Sequence, residues 1–84
     1  MFFTYVLQCK NTNLYVGYSN DLKERLNHHN CGKVFSTKNK LPVELIYYEA
    51  CKNQFDALKR EKYLKSGPGK KFLKNRLKRY LNQN

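Results

Sequence analysis

Cysteine is sparse and scattered. The three residues Cys9, Cys31 and Cys51 are odd in number and contain no C-x-x-C pair, so neither a disulfide framework nor a zinc ribbon is indicated and a reducing cytosol is the expected setting. Long apolar runs are also missing. The opening "MFFTYVLQ" has no basic leader and is soon interrupted by Gln8 and Lys10, which argues against a signal peptide or a membrane span and for a cytoplasmic location. No internal repeat and no long linker interrupts the chain, so residues 1–84 are expected to form one domain with a thin core, burying roughly 60% of the surface of the unfolded chain. Acidic residues are scarce as well. Six Asp and Glu face seventeen Lys and Arg, a formal net charge of +11, and from Lys59 onward ten basic residues accompany a single acid, Glu61. Such a field attracts a polyanion, and nucleic acid is the commonest cytosolic one.

What is present divides cleanly into elements. Phe3–Gln8 and Leu14–Ser19 are rich in β-branched and aromatic residues and flank the turn-forming "CKNTN", which reads as a β-hairpin. A register that pairs residues whose numbers sum to an even value places Tyr5, Tyr15 and Gly17 on one face; an odd sum separates them. Asn20 is the expected N-cap of a first helix, with Leu22, Arg25, Leu26 and His29 recurring at helical spacing. "NCGKVFSTKNKLP" reads as a polar loop carrying Lys33, Lys38 and Lys40, and Val43–Ala50 as a third strand. A second helix is capped by Asn53 and terminated by "SGPG", and a last, strongly basic helix is expected from Lys70 to about Asn82. The order β-β-α-β-α-α predicts an α+β domain, a three-stranded antiparallel sheet flanked by helices.

Each notable residue has an ordinary role and a chemical one. Tyr5 and Tyr15 suit a strand, but a glycine inside a strand, Gly17, marks a bulge or a close approach. Arg25 can pair with Asp21 one turn earlier, a contact worth only about 0.3 to 0.5 kcal/mol; its forked, permanently charged head equally suits a phosphate. Of the two adjacent histidines only His29 lines up with Arg25. Glu61 can pair with Lys65, yet it lies on the core-facing stripe of a helix otherwise poor in acids, a natural place for a hard divalent cation that also bridges to phosphate.

Taken together, "FTY", "YVG", "YSNDLKERLNHHNCG" and "YYEACKNQFDALKREKYLKSGPGKKFLKNRL" resemble the GIY-YIG nuclease family over nearly the whole chain, in particular its small stand-alone members and the nuclease module of the bacterial excision-repair incision subunit. Phe3-Thr4 replaces the family's Gly-Ile, and Val16 replaces Ile. The resemblance implies a β-β-α-β-α core with one active site, in which Tyr5, Tyr15, Arg25, His29 and Glu61 are catalytic and Glu61 holds one Mg2+ or Mn2+. It implies a metal-dependent endonuclease acting on DNA, with RNA left open, and with no membrane or obligate protein partner. Arg25 would clamp the phosphate, Tyr15 or Tyr5 would activate water, and His29 would support the tyrosine. Gly17 and the lysines at 33, 38, 40, 65, 70, 71 and 74 are the expected substrate contacts. With no separate DNA-reading domain, structure rather than sequence should be selected. The competing expectation is a nucleic-acid-binding module with this fold and no turnover.

Overall fold

The computed structural model describes residues 1–83; Asn84, the last residue of the expected domain, lies outside them. Strands β1 (Phe2–Gln8) and β2 (Leu14–Ser19) form the expected hairpin. Tyr5 stands opposite Gly17 and Leu7 opposite Tyr15, the even-sum register, so the two tyrosines and the glycine share a face. Strand β3 (Glu44–Cys51) pairs antiparallel with the other edge of β1, giving the order β2-β1-β3. Its register slips between Val6 and Leu7, which face Tyr47 and Leu45; Ile46 is the extra residue of a bulge.

Helices cover both faces. On the Tyr5 face, Leu22 and Leu26 of α1 (Leu22–Asn30) pack with Tyr5, Leu7, Cys9 and Val43. On the other, Leu64 of α2 (Gln54–Lys65) and Leu73 of α3 (Gly67–Arg76) close over Val6 and Val16. One further turn, α4 (Lys78–Leu81), follows. The architecture is the predicted α+β arrangement, a three-stranded antiparallel sheet between helices. Buried polar groups are satisfied, as burial demands: Thr4 Oγ1 donates to the Ala57 carbonyl at 2.9 Å, joining β1 to α2.

Two helix boundaries differ from expectation. Asp21, not Asn20, caps α1, accepting from Glu24 N at 3.1 Å. The shift follows from Ser19, whose Oγ accepts from Asp21 N at 2.9 Å and holds Asn20 in the preceding turn. Asn53 caps α2 as expected. "SGPG" both ends α2 and begins the next helix: Ser66 caps α3 by accepting from Gly69 N, and Pro68 lies in the first turn, where a missing N–H costs no intrahelical bond. A Cβ at Gly69 would overlap the Tyr63 carbonyl and Leu64 Cα, so only glycine lets α3 start so close to α2. The basic segment is therefore not one helix from Lys70 to Asn82; it starts at Gly67 and breaks at Leu77.

A polar clasp ties α2 to the sheet. Arg60 donates to both oxygens of Glu49 on β3 at 2.9 and 3.0 Å, and its guanidinium lies 4.7 Å from the Phe72 ring centroid on α3. Forked pairing of this kind fixes direction as well as distance.

Candidate active site

Gly17 creates the site. A Cβ there would overlap the phenol oxygen of Tyr5; without one, the Tyr5 ring crosses over β2 and carries its hydroxyl to α1. The capped start of α1 sets the phase of that helix, so Arg25 and His29, one turn apart, both turn toward the sheet. Arg25 Nε donates to Tyr5 Oη at 3.4 Å, and Tyr5 Oη lies 2.8 Å from His29 Nε2. His29 Nδ1 in turn lies 2.7 Å from Thr37 Oγ1. Tyr15 packs its ring against the His29 ring, with centroids 5.1 Å apart.

Burial sets the protonation states along this chain. Tyr5 and His29 are 0% exposed and Thr37 is 1% exposed. Loss of water pushes the Tyr5 phenol above its ordinary value despite the bond from Arg25. Burial, helped by the positive Arg25 and by His28, lowers His29 to about 4. At neutral pH Tyr5 is therefore a phenol and His29 an uncharged imidazole. Since Tyr5 Oη accepts from Arg25, its proton points at Nε2, which leaves the imidazole proton on Nδ1, donating to Thr37.

Glu61 approaches from the opposite face of the sheet. Its side chain is 20% exposed, its Oε2 pairs with Lys65 Nζ at 3.2 Å, and its charge is near enough to add to the rise in the Tyr5 pKa. Beyond the edge of β2 an open cleft of about 560 Å3 runs between that strand and helices α2 and α3, bordered by Tyr15, Lys40, Lys65, Lys70 and Lys74. The structure thus gathers Tyr5, Gly17, Arg25 and His29 into one network, sets Tyr15 between that network and the cleft, and lines the cleft with four of the expected lysines. The other three lie elsewhere. Lys33 and Lys38 are on the 31–42 loop, the latter with its Nζ 4.9 Å from the Phe35 centroid, and Lys71 borders a second basic surface with Lys74 and Lys78.

Thr37 escaped the reading of the sequence. A threonine in a polar loop looks like turn chemistry, and nothing local signals that its hydroxyl reaches a histidine eight residues away.

Comparison with known proteins gives this arrangement its context. The sequence model of the GIY-YIG catalytic domain matches residues 1–75. The chain belongs to the GIY-YIG family. This is a nuclease family, which implies a nucleic-acid substrate. Among its relatives, the GIY-YIG chain is 41% identical over 80 residues to the "UPF0213 protein in ldhD 5'region" of Pediococcus acidilactici, covering 88% of this chain and 82% of that one. It is 43% identical over 70 residues to the UPF0213 protein YazA of Bacillus subtilis, covering 82% and 71%. The solution structure of the UPF0213 protein BH0048 from Bacillus halodurans superposes with a TM-score of 0.55 at 30% identity, covering 87% of this chain and 82% of that one. Among the described residues, no helix of this GIY-YIG domain is long and apolar enough to cross a membrane.

Proposed function

We propose that this chain is a divalent-metal-dependent endonuclease, acting as a single domain over residues 1–84 in the cytoplasm, that hydrolyses phosphodiester bonds in DNA and selects structure rather than sequence. The observation that carries the reading is the Arg25–Tyr5–His29–Thr37 network, joined through the Tyr15 ring to a lysine-lined cleft. A binding surface alone makes no use of a phenol–imidazole pair, whereas a proton transfer has one here at 2.8 Å.

Lys40, Lys65, Lys70 and Lys74 hold the backbone phosphates along the cleft. Arg25 clamps the scissile phosphate, and its 3.4 Å contact with Tyr5, longer than a normal N–H···O bond, is the weakest link in the network and the one given up. Tyr15, the phenol on the cleft, orients the attacking water. As the water oxygen bonds to phosphorus and the leaving oxygen departs, the water proton passes to Tyr5 Oη while Tyr5 hands its own to His29 Nε2. The leaving oxygen takes a proton from solvent water, and an imidazole with a pKa of about 4 gives its own proton back to Tyr5 as Tyr5 releases the water's proton to solvent, so the charges cancel and the network is reset. Thr37, by accepting from Nδ1, keeps Nε2 ready to accept before each turnover.

Among the described residues no group of three His, Cys, Asp or Glu side chains could hold a metal. The donor chemistry of Glu61 nonetheless fits Mg2+ or Mn2+, because such ions keep several waters and accept one protein carboxylate beside substrate phosphate. When bound, the ion supplies charge neutralisation at the phosphate and assistance to the leaving oxygen.

The test is cleavage of supercoiled plasmid and of labelled flap, branched and single-stranded DNA and RNA, with Mg2+ or Mn2+, by wild type, by Glu61→Ala and with chelator. Metal-dependent scission lost in the variant supports the reading. Binding without scission across the panel makes the protein a non-catalytic module instead.

A further inference from the structure

Phe35 is 83% exposed, more than Phe55 at 77% or Tyr48 at 52%. Single exposed apolar residues are ordinary, but this one is held in place. Its neighbour Val34 is 8% exposed and Thr37, two residues on, is 1% exposed. The turn is closed by Thr37 N and Lys38 N, which donate to the Val34 carbonyl at 3.1 and 2.9 Å, and is joined to α1 by Lys33 N donating to His28 O at 3.0 Å. Two anchors thus fix the backbone that presents an uncovered ring, on the very turn whose threonine holds His29.

Its surroundings are cationic. Lys33 precedes it, and Lys38 places its ammonium 4.9 Å from the ring centroid. The same loop leads to Lys40 on the cleft. Phe55, by contrast, adjoins Asp56, and no lysine or arginine lies over its ring among the described residues. An exposed aromatic face on an anchored turn, beside positive charge, accepts a nucleobase whose phosphate the lysines hold. An uninterrupted duplex hides its base faces in the stack, so the partner is an unpaired nucleotide.

We propose that Phe35, with Lys33 and Lys38, is a stacking platform for an unpaired base, which directs the cleft to DNA carrying a single-stranded segment, such as a flap or branch. This rests on the nuclease reading and adds a substrate class to it. The catalytic network cuts the backbone, and the platform selects where strands have separated.

Fluorescence anisotropy in chelator, which blocks cleavage, tests it with a labelled single strand, a flap and a blunt duplex. Phe35→Ala should weaken single-strand and flap binding about 5- to 150-fold and leave duplex binding unchanged. Phe35→Trp should restore binding. It also installs the only tryptophan in the chain, whose emission should be quenched by single-stranded DNA and not by duplex. Equal losses on all three DNAs, no loss on any, or an unquenched tryptophan overturns the platform while leaving the nuclease reading in place. Failure of the wild type to bind any DNA overturns both.

Discussion

Acid should destabilise this protein through His29. Above its ordinary pKa of 6.5 the imidazole is neutral in both folded and unfolded chains, so it contributes no pH dependence there. As pH falls, the unfolded chain takes up a proton first, whereas the folded chain holds His29 neutral down to about 4. Folding stability therefore drops across that window and levels off below it. At 1.36 kcal/mol per pH unit the full difference is about 3 kcal/mol, of which about 2 kcal/mol falls between pH 7 and pH 5. The groups facing the ring are Tyr5 and Tyr15 from the sheet, Thr37 from the loop, and Arg25 and His28 on its own helix; none is a carboxylate that could favour the charged form by contact. Glu49 acts lower on the scale. Burial raises its pKa, but bonds from Arg60 and Tyr47 hold it below the ordinary value overall, so its contribution is lost only as pH falls through its folded pKa, below about 4.5. Urea denaturation followed by far-UV circular dichroism between pH 7 and pH 5 isolates the histidine. Wild type should lose about 2 kcal/mol more than His29→Gln over that interval, whatever the variant's absolute stability. An NMR titration of the His29 ring gives the folded pKa directly. Parallel pH slopes, or a ring that titrates near 6.5, would refute the reasoning.

Other variants test separate parts of the site. Tyr5→Phe, which removes the proton acceptor, should reduce cleavage by about 10² to 10⁴ and leave a measurable remainder, whereas Glu61→Ala should lose more; wild-type rates in the first, or unchanged Mg2+ dependence in the second, would remove the residue from its role. Thr37→Val keeps the shape but leaves His29 Nδ1 without its partner, which should cost about 1 to 3 kcal/mol in urea denaturation and lower kcat; Thr37→Ser should recover both. Four cleft lysines predict a slope of about −4 for log K against log salt on duplex DNA, and Lys70→Ala should reduce its magnitude by about one. A slope unmoved by Lys70→Ala would place the phosphates elsewhere.

The hairpin and its helix were legible because alternation and spacing are local properties. Placing Tyr5, Tyr15 and Gly17 on one face required a register that the sequence left open, and the β1–β2 pairing supplies the even-sum one. Arg25 and His29 share a helix face for the same local reason. "SGPG" was misleading because proline and glycine stop a helix and also start one; the distinction lies in Ser66, whose hydroxyl accepts from Gly69 N. How far each phenol is covered was not legible, since it depends on α1 covering Tyr5 completely and Tyr15 only in part. Thr37 and the exposure of Phe35 belong to a loop without periodicity, and their meaning comes only from what lies across from them.

The clasp between Arg60 and Glu49 has a mechanical consequence. Helix α2 buries only Ala57 and Leu64 and takes one buried bond from Thr4, so few contacts set its rotation about its own axis. The forked pair works as a key in a keyway and locks that angle. Glu61 is the next residue along the helix, so its bearing relative to Tyr5 and Lys65 is inherited from Arg60. Replacing Glu49 would then leave a folded protein in which Glu61 has turned, and under the proposed nuclease function a remote position would acquire the mutational profile of the active site.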